Sequence, residues 1–182
     1  MPHTSDDRPT TLAVGTYTID AGRSTIAFTT RHFFGLGAVR GTFDLTSGQV
    51  HVAAEPTQSS ATAVIDADSF STDSGTRDRV VRSPKYLGTA AHPHMAFASN
   101  AVQSTDTGYV LRGELTVKAT TRPIELTVEQ PEFTADGIRF RATTRIDRYA
   151  FGITVDKGMT ARHLTLSLDI LAVPAVGGIP GD

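Results

Sequence analysis

An alternation of apolar and polar residues with a period of two is the feature that most constrains how this chain folds. It recurs in the segments 25–32, 111–118, 124–129, 138–147 and 163–172. In the last of these, Leu164, Leu166 and Leu168 alternate with Thr165 and Ser167. A period of two places successive side chains on opposite faces of an extended strand. The pattern therefore predicts antiparallel strands with one apolar face and one polar face.

Turn signals separate these strands, and one segment interrupts them. Asp136-Gly137 is a strong hairpin signal, and Ala21-Gly22-Arg23, Ser47-Gly48 and Thr107-Gly108 are weaker turn signals. The segment near 76–87 lacks the alternation and is rich in charge. We expect one short helical insertion there, which Pro84 disfavours beyond Ser83.

The predicted strands are numerous enough that a flat sheet would expose a large apolar face to water. About eight strands fill most of the chain between 15 and 173, and the 27 threonines suit such strands. A sheet of this size hides its apolar face by folding into a sandwich or by closing into a barrel. Periodicity alone leaves both architectures open.

Composition and charge exclude several classes of protein. The 182 residues fit one domain, and a net charge of −2 predicts no nucleic-acid partner. Cysteine is absent, which excludes disulfides, thiolate zinc sites and a cysteine nucleophile. No segment has the ~20 apolar residues of a spanning helix, so we expect no stable membrane insertion. The first residues lack the apolar run of a secretory signal, which predicts a cytoplasmic protein.

Seven segments, in this order along the chain, resemble the YceI-like family of lipid-binding proteins. They are YTID at 17–20, FTTRH at 28–32, VRGTF at 39–43, RDRVVRS at 77–83, HPHMAFAS at 92–99, GELTVKATTRPI at 113–124 and IDRYAFGI at 146–153. Each motif is weak alone, but the ordered set is specific. The resemblance runs from about Gly15 to Val173, nearly the whole chain.

The resemblance implies an all-β fold, a single antiparallel eight-stranded barrel of lipocalin-like shape over residues 15–173. Residues 1–14 and 174–182 are then flexible flanking segments. The family's apolar pore holds a long polyisoprenoid or similar lipid, without an established catalytic step or cofactor. Three departures stand out: Val80 and Ala119 occupy positions where the family often has histidine and glycine, and many relatives are exported.

The inward faces of the predicted strands supply the candidate ligand contacts. If each strand keeps its register, nine apolar side chains point to one axis. They are Ile26, Phe28, Phe43, Ile65, Phe97, Leu115, Phe140, Ile146 and Leu166. In a barrel such residues form both the core and the wall of the pore.

Three polar residues are further candidate ligand contacts. His32 shares the face of Ile26, and is either a buried hydrogen-bonded histidine, a contact for a ligand head group, or a catalytic residue. Arg77 and Arg79 belong to a charged cluster that forms either a solvated helix or a site for a pyrophosphate or carboxylate head group.

No metal site and no catalytic set follows from the spacing of the other polar residues. His92-Pro93-His94, with His51 and His163, matches no common zinc pattern. A Gly-x-Ser-x-Gly elbow that would place a serine nucleophile is absent from the sequence.

Three functions remain open on this reading. The first, which we favour, is a non-enzymatic carrier, store or sequestering protein for an isoprenoid quinone, an isoprenyl phosphate or a fatty chain. The second is an enzyme that acts on a small apolar substrate in the same pore. The third is a partner-binding barrel with an adventitious lipid. The sequence leaves a homodimer open.

Overall fold

The structure, a computed structural model, describes residues 12–32 and 37–176. Within these ranges the chain forms ten strands and one α-helix. The elements are β1 (Gly15–Ile19), β2 (Thr25–His32), β3 (Gly37–Val52), β4 (Ser60–Ser71), α1 (Gly75–Arg82), β5 (His94–Thr105), β6 (Gly108–Val117), β7 (Thr120–Glu129), β8 (Glu132–Phe133), β9 (Ile138–Asp147) and β10 (His163–Pro174). Short 3₁₀ turns lie at Ala21–Arg23, Pro56–Gln58 and Arg148–Phe151.

Eight of the strands close into an antiparallel barrel in the order β2-β3-β4-β5-β6-β7-β9-β10, with β10 paired back to β2. β2 pairs with β3 and β10 over one half of the barrel. β1 pairs with the same two strands over the other half. β1 and β2 thus share one position in the wall, joined by the 3₁₀ turn at Ala21–Arg23. The predicted eight-stranded antiparallel barrel with one short helix is confirmed. The alternative architecture, a β-sandwich, is not adopted.

The long ladder between β9 and β10 shows how the alternation determines the faces of the barrel. Leu168 lies opposite Ala142, and both side chains face the interior. On the outer face Arg139 forms an ion pair with Asp169. A shift of the register by one residue would exchange the apolar and charged faces, so the pattern excludes such a slip.

The helix α1 is anchored at one end of the barrel by its own polar residues. Ser74 caps it, since its hydroxyl accepts a hydrogen bond from the Arg77 N–H at 3.2 Å. Asp78 is buried and accepts from both the N–H and the hydroxyl of Thr72, at 3.0 and 2.6 Å. The helix ends at Arg82, as expected from Pro84, and is shorter than the predicted segment 76–87.

One predicted turn is wrong. β3 continues through Ser47-Gly48, with a register shift between Leu45 and Ser47. A Cβ atom on Gly48 would lie 2.5 Å from Cδ1 of Ile19, so this glycine permits close packing inside the barrel and no chain reversal. The signal at Asp136-Gly137 is correct, because residues 134–137 join β8 to β9.

The hairpin between β6 and β7 turns through two residues in the left-handed region. Lys118 has φ 52° and Ala119 has φ 64°. Two-residue hairpins of this geometry favour glycine or asparagine, because a Cβ atom is strained at positive φ. The Cβ atom of Ala119 therefore introduces local backbone strain in this turn.

Candidate functional site: an apolar cavity in the barrel

The barrel encloses an apolar cavity of about 270 Å³. Of the described residues that line it, only Thr62, Thr144 and Arg148 are polar. Within residues 12–32 and 37–176, no histidine, serine, aspartate, glutamate or lysine belongs to this lining. The cavity therefore offers contact to hydrocarbon and very few groups that act as acid, base or nucleophile.

Eight of the twelve candidate contacts line this cavity. They are Ile26, Phe43, Ile65, Phe97, Leu115, Phe140, Ile146 and Leu166. They come from seven strands. Two of the pairs, Ile26 with Phe43 and Phe97 with Leu115, are direct cross-strand neighbours. The alternation thus brings distant parts of the sequence to one surface.

Phe28 lies beside the cavity and not in its lining. It is 2% exposed and stacks on Phe70, with ring centroids 5.1 Å apart. Phe43 contacts both rings, at centroid distances of 5.6 and 5.5 Å. This aromatic cluster supports the cavity wall at Phe43. Phe28 therefore holds the ring of Phe43 in position and does not itself form the wall.

None of the three polar candidates is found in the lining of the cavity. Arg77 forms an ion pair with Asp73 at 3.1 Å and donates to the hydroxyl of Thr72. Arg79 is exposed on α1. Neither arginine lines the cavity. The side chain of His32 lies outside the described residues.

The cavity also contains residues that the candidate contacts omit. Leu164, Leu168 and Ile170 share the face of Leu166, and Ile124, Leu126 and Val128 form the inward face of β7. The period of two that identified Leu166 identifies these residues as well. Arg148 is different, because nothing in the local pattern predicts that an arginine turns inward.

Arg148 closes one end of the cavity. It is 6% exposed, and its guanidinium donates to the carbonyls of Ala161, Ile153 and Thr160 at 2.8, 2.9 and 3.1 Å. Buried charge is tolerated where hydrogen bonds compensate for lost water. Since every guanidinium nitrogen has an acceptor, Arg148 is a structural plug at this end of the barrel.

A second polar group at the closed end is Tyr86. Its hydroxyl donates to Asp156 at 2.6 Å. Burial raises the pKa of Tyr86, and the neighbouring carboxylate adds to this effect. The same hydrogen bond lowers the pKa of Asp156, with a further contribution from Lys85. This contact fastens the loop before β10 to the segment after α1.

The opposite end of the cavity continues into a second space of about 430 Å³, which we call the basin. The cavity and the basin share Val50, Ala61, Leu111, Val128 and Phe140. The rest of the basin is lined by residues before β1, around the turn at Pro56–Gln58 and between β7 and β8, together with Val52, Val102, Tyr109 and Phe133 of the strands. None of the described residues that line it is charged. The apolar surface therefore extends from the plug at Arg148 to this end of the barrel.

The cavity volume sets the length of chain that it encloses. An apolar cavity of about 150 Å³ holds one benzene molecule. By proportion, 270 Å³ holds about eleven carbon atoms, which is roughly two isoprene units. A longer chain has to extend into the basin.

Metal-ligand clusters and membrane-spanning helices are both absent from the described residues. Among them, no cluster of histidine, aspartate or glutamate side chains has the arrangement of a metal site. No helix in this part of the chain is long and apolar enough to cross a membrane.

Comparison with known proteins places the fold among characterised structures. The profile of the YceI-like domain matches residues 17–172. A UPF0312 protein of Shewanella oneidensis is 28% identical over 174 residues, which cover 91% of each chain. A UPF0312 protein of Serratia proteamaculans is 28% identical over 156 residues, which cover 82% of this chain and 81% of that protein.

Solved structures resemble the barrel closely. BcnA of Burkholderia cenocepacia has a TM-score of 0.77 at 20% identity, covering 85% of this chain and 99% of that chain. A polyisoprenoid binding domain of Saccharophagus degradans has a TM-score of 0.67 at 15% identity, covering 87% and 98%. At these identities the likeness establishes a shared fold.

Proposed function

Since this chain belongs to the YceI-like domain family, we propose that it binds one long-chain amphipathic lipid inside its barrel. The ligand class is a polyisoprenoid or a similar chain: an isoprenoid quinone, an isoprenyl phosphate or a fatty chain. The role is to carry, store or sequester that lipid without chemical change.

The observation that carries the proposal is the apolar lining of the cavity and its continuation into the basin. Burial of an apolar chain gains about 0.8 kcal/mol per methylene. About ten enclosed carbons then gain at most about 8 kcal/mol, of which 4 kcal/mol or more offsets lost translational and rotational freedom. A chain of two isoprene units therefore binds weakly, and tight binding requires a longer chain that reaches the basin.

The comparison with Saccharophagus degradans supports the same ligand class, because the domain of similar fold is described as polyisoprenoid binding. An enzymatic role has less support. The cavity lining has two hydroxyl groups and one fully engaged arginine, and a hydrolase or transferase needs an acid, a base or a nucleophile next to its substrate.

The proposal assigns the chain of the lipid to the eight candidate residues that line the cavity. Arg77 and Arg79 as contacts for the head group stay a prediction from the sequence. Arg79→Ala tests it: because Arg79 is exposed and distant from the lining, we expect this variant to keep most of its lipid.

Native mass spectrometry after gentle purification tests the proposal directly. We expect a mass excess equal to one isoprenoid or fatty chain, and we expect the delipidated protein to bind farnesol or hexadecanol in calorimetry. A protein that carries no such mass and binds neither alcohol would refute lipid binding.

A matched pair of variants on β10 places the chain inside the barrel. Leu166 faces the cavity, and its neighbour Ser167 is exposed on the outer face. We expect Leu166→Gln to weaken farnesol binding at least about ten-fold, because an amide loses hydrogen bonds to water when the chain enters. Ser167→Gln should bind as the wild type does. Equal effects of the two substitutions would contradict a ligand site inside the barrel.

A further inference from the structure

The barrel closes where β7 pairs with β9, a junction that we call the seam. The backbone ladder at the seam is unusually short. Only Thr127 with Thr143 and Val128 with Ala142 are paired in the described residues. β9 forms ten pairs with β10 on its other side. Beyond Thr143 the two strands separate, and the Thr144 hydroxyl donates to the carbonyl of Glu125 at 2.7 Å. One side-chain hydrogen bond thus spans the seam where the backbone ladder has ended.

A groove of about 570 Å³ occupies the wedge between the separated strands. It is lined by residues 122–125 of β7 and 143–147 of β9, together with parts of the following turn. Ile124, Thr144, Ile146 and Phe151 line both this groove and the apolar cavity. The wall between the groove and the cavity is therefore one layer of side chains.

Two acidic residues of the groove already have cationic partners outside it. Glu125 accepts from Arg112 at 2.9 Å, and Asp147 accepts from Arg162 at 2.8 Å. Neither Arg112 nor Arg162 lines the groove. Their positive charges compensate the two carboxylates from the far side.

Two arginines of the groove lack such compensation. Arg122 and Arg145 are exposed, and neither has a carboxylate within ion-pair distance in the described ranges 12–32 and 37–176. Arg122 donates to the carbonyl of its neighbour Thr121 at 3.0 Å. The groove therefore presents unmatched positive charge beside a hydrocarbon cavity, whereas the described lining of the basin at the other end is uncharged.

We propose that the wedge between β7 and β9 holds the anionic head group of a long-chain ligand. Arg122 and Arg145 bind the phosphate or carboxylate in the groove. The chain passes between the strands, past Ile124 and Ile146, into the cavity and on towards the basin. Guanidinium groups suit both anions, since they donate paired hydrogen bonds to two oxygens. This assignment rests on the proposed function and adds the position and the charge of the head group.

The test compares each anionic lipid with the alcohol of the same chain, by calorimetry at low ionic strength. Farnesyl phosphate is paired with farnesol, and palmitate is paired with hexadecanol. We expect the wild type to prefer the anion about ten-fold in at least one pair, and to lose most of this preference at about 1 M salt, where the screening length falls to about 3 Å. The pair with the larger preference identifies the head group as phosphate or carboxylate.

Charge-matched variants locate that preference. Arg145→Gln and Arg122→Gln should each reduce the anion preference several-fold, where the preference is the affinity for the anion divided by the affinity for its alcohol in the same variant. Arg40→Gln is the control, because Arg40 is an exposed strand residue that lines neither the groove nor the cavity. This control should keep the full preference for the anion.

The seam itself has a separate kinetic readout. Thr144→Val removes the hydroxyl that bonds across the seam and keeps the volume of the side chain. If the chain passes here, release of farnesol should accelerate about five-fold, the change expected for loss of one hydrogen bond.

The outcomes separate the two proposals. If the wild type binds the alcohols but shows no preference for either anion, or keeps the preference in both groove variants, the head-group assignment is wrong and lipid binding stands. If the wild type binds none of the four lipids, both proposals fail.

Discussion

A carboxylate placed at Phe140 should convert a pH-independent apolar site into one that binds only under acidic conditions. Phe140 lines both the cavity and the basin, so a bound chain has to pass it. Among the described residues of the two linings, Arg148 is the only cation, and its nitrogens already donate to three backbone carbonyls. In Phe140→Asp, a bound chain therefore removes water from the carboxylate and supplies no partner.

The size of this effect has a ceiling, because the carboxylate escapes desolvation by taking up a proton. An aspartate has an ordinary pKa of about 3.9, and each pH unit above the pKa adds about 1.36 kcal/mol to the cost of protonation. At pH 7 that cost is about 4 kcal/mol, which weakens binding of a neutral chain by up to about 1,000-fold. At about pH 5 it falls to about 1.5 kcal/mol, or roughly ten-fold.

Calorimetric titration with farnesol across this pH range measures the effect without a charged head group. Phe140→Asn is the control, since its side chain has nearly the same shape as aspartate and does not ionise. We expect Phe140→Asp to bind far more weakly than Phe140→Asn at pH 7 and to approach it as the pH falls. Circular dichroism verifies that both variants fold. If the two variants bind equally at every pH, the chain does not pass Phe140 and the cavity is not its site.

Three further measurements follow from the same structure. For the wild type, affinity for uncharged isoprenoid alcohols should rise steeply up to about two isoprene units and more slowly beyond, because later carbons lie in the partly open basin; a constant gain per unit would place the whole chain in an equivalent environment. Ala119→Gly should raise the free energy of unfolding by about 0.5–1 kcal/mol in thermal or urea melts, because it relieves the strain at φ 64°; a loss of stability would contradict this account. The guanidinium of Arg162 lowers the pKa of Asp147 from its ordinary value of 3.8, so this pair stabilises the fold above that pH and loses its contribution as the pH falls below it. Stability below about pH 4 should therefore decline less in Asp147→Asn than in the wild type, and parallel profiles would show that the pair contributes nothing.

The apolar half of the site follows from the sequence to a large extent. Leu166 and Leu168 are recognisable as inward residues because each strand carries its own period of two, a local property that needs no knowledge of the neighbouring strand. The same rule identifies Phe97 and Phe140. Phe28 shows the limit of the rule: it points inward, as expected, but the rings of Phe43 and Phe70 place it behind the cavity wall.

The polar half of the site depends on partners that are distant in the sequence. Arg148 follows a strand of alternating residues and looks like any surface arginine, yet the loop before β10 surrounds it with three carbonyls. Arg145 and Arg112 are equivalent in sequence terms, but only Arg112 faces a glutamate across a strand pair. Which charges are matched is decided by register between strands, which local composition does not contain.

The sequence by itself determined the strands, their inward faces and the apolar character of what they enclose, because these properties repeat every two residues along one segment. The alternation left the sandwich and the barrel open, and the barrel was expected from the family resemblance alone. Tertiary structure alone decided that, in the described residues, β7 and β9 pair at only two positions before they diverge. β10, which forms ten pairs with β9, begins at His163, 25 residues after β9 begins at Ile138. β7 is connected to β9 through the two-residue strand β8. Closure depends on the tilt and stagger of all eight strands together, so the position of the open wedge is a property of the whole barrel and of no single segment.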